Sequence, residues 1–201
     1  ELLSREDVKM LVESLRKSHP SVVEELTPAQ ASLGEIQRVL QGLLKERVAI
    51  RDLSRIFEAM SASIRSGHQG TEALVESARE VLGSAISSQT AMEGILHVIT
   101  LDPTFEQGLL AASRAGQEGQ VLAIDATVLT RMSADVGRLV NQAEEAGISP
   151  VLICASQLRA SLYQQLRHEF PRLPILSYSE LGGPIDIQTV GVVGNEPANV
   201  A

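Results

Sequence analysis

Residues 33–60 read LGEIQRVLQGLLKERVAIRDLSRIFEAM, and this stretch decides how the first half of the chain folds. Leu33, Ile36, Leu40, Leu43 and Leu44 recur at helical spacing, so one face of a helix is apolar. Ser32 stands just before the run and Glu35 three residues after it, the spacing of a capping box. The helix is predicted to end near Glu46 or Arg47. Val48, Ala49 and Ile50 form a short β-favouring connection. Asp52 then offers an N-cap for a second helix with Leu53, Ile56, Phe57 and Met60 as its buried stripe. Two packed helices joined by a tight link carrying Arg51 and Asp52 are the expected result.

Outward from this pair, the first half continues to read as helix. Ser4 with Asp7 opens a helix running to about Ser18, and His19-Pro20 ends it. A short helical turn over 21–26 is closed by Thr27-Pro28. After a polar loop over 66–70, Thr71 caps a long helix to about Gln89. Residues 1–90 are thus expected to form an all-helical subdomain. Near Ala91 the pattern changes. Runs at 95–101, 121–124, 150–154, 173–177 and 185–193 read as strands, with helices between the first four. Asp102-Pro103 and Asp125 follow two of these runs as helix starts. This order predicts an α/β subdomain over 91–193 with a mostly parallel sheet that admits a mixed strand. The fold class is α, then α/β. Residues 194–201 are expected to be a disordered tail.

Composition excludes several classes of function. The chain is 44% hydrophobic but only 2% aromatic and lacks Trp, so its core is aliphatic and a stacking platform for bases has nothing to be built from. A net charge of −8 disfavours nucleic acid and anionic membranes as partners. Residues 91–201 carry 12 acidic and 6 basic side chains, and all three lysines (Lys9, Lys17, Lys45) lie in the first half. Cys154 is the only cysteine, which fits a reducing compartment. No run has the length of a transmembrane helix. A start at Glu1, close to the Ser4 cap, leads to the expectation of a piece of a longer protein.

Few residues are spaced for chemistry. His19, His68, His97 and His168 are scattered without metal-ligand spacing, so no metal is expected. Cys154 closes a strand and precedes a helix, a position some nucleophiles occupy, but LICAS lacks nucleophile-elbow glycines and a buried structural cysteine is the simpler reading. Asp102 and Asp125 could form an acid–base pair, yet capping explains both. There is no glycine-rich phosphate loop, and no cofactor is expected. Four residues remain as candidates for protein contact. Arg51 and Asp52 lie in the tight link. Arg159 and Arg167, eight apart and near one helical face, form with His168 and Arg172 the one basic region of an acidic domain. No catalytic constellation emerges, and the protein reads as non-enzymatic.

The order of residues in VLQGLLKERVAIRDLSRIFEAM resembles the FlhA (FHIPEP) family of type III export gate proteins, as do VLGSAI, HVITLDPTFEQ, PVLICASQLRASLYQQLRHEFPRLPILSYSEL and IQTVGVV. Ala49 stands where the family usually has proline, which would fix φ in the link. The resemblance implies the last two domains of the soluble portion of an integral inner-membrane protein. It places this part at the cytoplasmic face of the bacterial inner membrane, with no direct membrane contact of its own. It implies a nonameric ring of identical copies that receives export chaperone–substrate complexes and works with other export components, including an ATPase complex. The helical part would help the ring pack, and the chaperone groove would lie mostly in domains upstream. PVLICASQLR, ILSYSEL and VGVV look more like flagellar members than virulence-injectisome members. The alternatives are an injectisome gate protein or a small α/β ligand-binding module.

Overall fold

A computed structural model describes residues 3–27, 30–68, 70–116 and 120–194. The chain divides into two compact units, Glu1–Ile86 and Ser87–Ala201. The first is helical: α1 (Arg5–Ser18), α2 (Pro20–Leu26), α3 (Leu33–Lys45), α4 (Leu53–Arg65) and α5 (Thr71–Thr90), whose last residues belong to the second unit. The starts of α1 and α3 are capping boxes. The Ser4 hydroxyl accepts from Asp7 N–H and the Asp7 carboxylate accepts from Ser4 N–H, and Ser32 and Glu35 repeat the arrangement. Each box satisfies two amides that a helix start otherwise leaves without partners. Pro20 at the head of α2 loses no helical hydrogen bond. Val8, Val12, Val23, Leu26, Ile36, Leu40, Leu43, Ile56, Phe57 and Met60 are buried, so the apolar stripes of these helices face inward, with Phe57 the one aromatic side chain among them. Gly42 lets α3 and α5 approach closely. A Cβ there would lie 2.7 Å from Cγ2 of Val75.

The second unit holds β1 (Ile95–Leu101), α6 (Pro103–Ala112), β2 (Ser113–Ala115), β3 (Gln120–Leu122), α7 (Ala126–Glu145), β4 (Val151–Cys154), α8 (Ser156–Leu166), β5 (Ile175–Ser177), a 3-10 turn (Tyr178–Glu180) and β6 (Asp186–Val193). Four strands form one sheet in the order β5-β4-β1-β6, and every neighbouring pair is parallel. All four therefore end at one edge, at Leu101, Cys154, Ser177 and Val193. Ile99, Leu101, Leu152, Cys154 and Ile175 share a core with Leu109 of α6, Val136 and Leu139 of α7, and Leu158 and Leu162 of α8. The β1–β6 register shifts after Val98, leaving Val190 as a bulge.

The order of helices followed by a mainly parallel α/β sheet is the one expected from the sequence. One expected strand is not in that sheet. Val121 belongs to β3, which pairs antiparallel with β2 in a separate two-stranded ribbon. The physical reason is that the chain is already extended directly after α6, which gives this strand a partner adjacent in sequence. Helix α6 stops at Ala112, and Ser113 is already extended at φ −70° and ψ 133°. The few residues between Ala115 and Gln120 suffice for a hairpin but not for the crossover that a parallel neighbour needs. The expected disordered tail lies outside the described residues from position 195 onward. Among the described residues no helix is long and apolar enough to cross a membrane.

Candidate functional site

The link between α3 and α4 is built from both sides. Its first residue, Arg47, has φ 60°, a left-handed conformation that turns the chain off the end of α3. Val48 is buried and anchors the turn, while Ala49 and Arg51 are exposed. Asp52 is the N-cap of α4. Its Oδ1 accepts from Arg55 N–H at 3.3 Å and from the Ser54 hydroxyl at 3.0 Å. Arg55 in turn donates to the carbonyl of Val81 on α5. Asp52 thus has a structural role, and Arg51 projects from a turn whose backbone is fixed.

Beneath the link lies a pair that reading by motif misses. Glu46 closes α3, and its carboxylate accepts from Arg79 of α5 at 3.0 Å. The Arg79 side chain is 3% exposed and that of Glu46 11%. Arg79 falls four residues after Val75 and three before Leu82, on the buried face of α5. That position was a signal in the sequence, because a cation placed on an apolar stripe needs a partner.

At the strand-end edge of the α/β unit, both aspartates are caps. Asp102 Oδ1 accepts from Thr104 N–H at 2.9 Å and Phe105 N–H at 3.1 Å, and Asp125 Oδ1 accepts from Thr127 N–H at 2.7 Å. The bonds from Thr127 hold the Asp125 carboxyl below its ordinary pKa. An open cleft of about 550 Å³ lies between them, with Phe105, Ile124, Val128, Arg131 and Gly194 among its walls. Two capped helix starts with their carboxylates engaged give it no free acid–base pair. Cys154 is fully buried, and its thiol faces the Leu176 carbonyl at 3.8 Å. Helix α8 has no side-chain cap of its own. The amide of Ala155, its N-cap, donates instead to Glu106 Oε1 of α6 at 2.7 Å. Tyr178 stands nearby. Partial burial, then the nearby Glu106 carboxylate, raises its hydroxyl pKa. Among the described residues no group of three His, Cys, Asp or Glu side chains is placed to hold a metal ion.

The expected basic patch is corrected by burial. Arg159 is 1% exposed, one of five consecutive buried residues from Leu158 to Leu162. Helix α8 is covered on most of its circumference, and Ser161 donates to the Gln120 carbonyl of β3 at 2.7 Å. Eight-residue spacing placed Arg159 and Arg167 on one face, but the helix ends at Leu166 and Arg167 lies at its C-cap. Arg167, His168 and Arg172 are exposed, so the structure does not bring Arg159 into a surface patch with them.

Residues 1–186 match the FHIPEP family. The chain is 34% identical over 194 residues to the flagellar biosynthesis protein FlhA of Bacillus subtilis, covering 96% of this chain and 28% of that protein. It is 33% identical to FlhA of Treponema pallidum, covering all of this chain and 29% of that protein. It therefore spans under a third of the length of these relatives. Among solved structures, the Chlamydia pneumoniae CdsV protein superposes with a TM-score of 0.82 at 26% identity, over 95% of this chain and 55% of that one. Nonameric EPEC SctV-C has the same fold, with a TM-score of 0.82 at 24% identity, over 95% of this chain and 57% of that one. A complex of Chlamydia pneumoniae CdsV with CdsO also matches, with a TM-score of 0.75 at 26% identity, over 94% of this chain and 56% of that one. With the family pattern matched over residues 1–186 and relatives at 34% and 33% identity over nearly all of its length, the chain belongs to the FHIPEP family.

Proposed function

We propose that this chain is a non-catalytic, ring-packing and docking portion of a type III protein export gate, on the cytoplasmic face of the bacterial inner membrane. The observation that carries the reading is the family match over residues 1–186. The flagellar branch is favoured because the curated relatives at 34% and 33% identity are flagellar biosynthesis proteins. In this reading the chain acts in a nonameric ring, receives export chaperone–substrate complexes and meets other export components, the ATPase complex included. The helical unit supplies ring contacts. Arg51, projecting beside the Asp52 cap from a fixed turn, touches the neighbouring copy, and Arg167 serves a protein partner from the exposed end of α8. Arg159 has an internal role because it is buried.

Calorimetry tests the docking part. The chain alone, and the chain joined to the preceding soluble segment of the Bacillus subtilis relative, are each titrated with a flagellar chaperone–substrate complex. Binding by the joined form, weakened by Arg167→Ala or Arg51→Ala, supports the reading. A joined form that assembles normally yet binds no chaperone–substrate complex would remove docking from it.

A further inference from the structure

The β6 strand leaves one of its edges open. It is an edge strand with β1 as its hydrogen-bonded neighbour. Asp186 N–H points inward and donates to the Gly94 carbonyl at 3.0 Å. Backbone groups alternate sides along a strand, so those of Ile187 and Thr189 face outward, up to the bulge at Val190. Residues Asp186, Ile187, Gln188 and Thr189 are all exposed, and Ile187 is 55% exposed despite being aliphatic. Edges are usually blunted by lysine, proline or an early bulge. Asp186–Val193 contains neither lysine nor proline, and the bulge comes only after the outward-facing pair.

Two further features describe what would lie along this edge. A pocket of about 150 Å³ opens beside it, lined by Leu96, Leu181, Ile185 and Ile187 together with Ser87, Gly182 and Gly183. Ile187 is in register with Leu96, so the pocket lies on the face that a side chain of an added strand next to Ile187 would share. Its size suits one aliphatic side chain. At the start of the strand stand two exposed carboxylates, Asp186 and Glu93, the latter in the turn whose Gly94 receives the Asp186 amide. We infer that the outer edge of β6 at Ile187–Thr189 is a β-augmentation site for an extended polypeptide segment that bears an aliphatic side chain flanked by lysine or arginine. The outward donors and acceptors give affinity, the pocket selects the aliphatic side chain, and the carboxylates select the cation. This inference is independent of the export-gate reading.

The test uses the isotope-labelled chain and a synthetic peptide of sequence KVTLTVK, followed by amide hydrogen exchange and chemical shift. At about ten times the Kd of the peptide, exchange at the Ile187 and Thr189 amides is expected to slow about tenfold. Two variants localise the effect. Thr189→Pro removes an outward donor without touching the ladder to β1. Ile187→Lys sets a cation against the basic peptide at an exposed position where folding is not at stake. Both are expected to abolish the protection at position 187, and a peptide with serine in place of leucine is expected to bind more weakly. Protection that persists in both variants, or peptide binding that leaves these two amides unprotected, overturns the inference. So does concentration-dependent protection of these amides without peptide, which would make the edge an interface between copies.

Discussion

The start of α8 in the α/β unit is held in place by other means than the capped helix starts of the helical unit. In the helical unit the starts of α1, α3 and α4 are fixed locally, as Asp102 and Asp125 fix those of α6 and α7 in the α/β unit. Ser4 and Asp7, Ser32 and Glu35, and Asp52 and Arg55 are each three residues apart. In the α/β unit the start of α8 is fixed by Glu106, which lies 49 positions before the amide it accepts from. The difference teaches that local capping makes an element self-defining, whereas an element capped from afar forms only with its neighbours. Within the helical unit one tie is long-range: the Glu46–Arg79 pair joins α3 to α5 across 33 positions.

The largest test of that contrast is this buried pair. Arg79→Ala leaves a mostly buried carboxylate and is expected to cost about 3–5 kcal/mol, read from the urea unfolding of the chain. The double variant Arg79→Met with Glu46→Leu is expected to recover most of that loss. If the single variant is neutral, the helical unit is held by local capping and apolar packing alone. Next in size, Glu106→Ala removes a charge-assisted acceptor from the head of α8 and is expected to cost about 2 kcal/mol. Glu106→Gln keeps an acceptor and is expected to cost less. Exchange at the Ala155 amide distinguishes loss of the cap from general loosening. Asp52→Ala, a local cap, is expected to cost about 1 kcal/mol and to raise exchange only in the first turn of α4.

The smallest effect is with pH. Hydrogen bonding from the Ser32 backbone, then from its hydroxyl, lowers the pKa of Glu35, and the Ser4 hydroxyl and then its backbone amide lower that of Asp7. A carboxylate with a lowered folded-state pKa contributes stability that is present above its unfolded pKa and lost as pH falls through the folded one. Unfolding followed below about pH 4 is therefore expected to show a shallower acid limb in Glu35→Gln than in the parent chain. An unchanged limb would mean that the local box is not coupled to folding.

The same contrast explains what the sequence made legible. The α3–α4 pair and both aspartate caps could be read because each depends on residues within three or four positions. The parallel sheet followed from strands alternating with helices. The β2–β3 ribbon was missed because the 121–124 run looked like any other buried strand, and only the end of α6 at Ala112 decides its partner. Arg159 was read as exposed because its own helix says nothing about β3 lying against it. The Glu106 cap and the Arg79 partner were invisible to spacing because both are long-range. No local pattern distinguished Ile187 from the alternation of an ordinary edge strand.

Export in a living cell tests the proposed function most directly. The matching segment of the Bacillus subtilis relative is replaced by this chain, and secreted flagellin is measured in a strain that lacks the native protein. Restored flagellin secretion, lost again when Arg79→Ala disrupts the helical unit, is the result predicted for a working part of an export gate. A chimera that accumulates to the native level in the membrane and assembles into rings, yet secretes no flagellin, would contradict it.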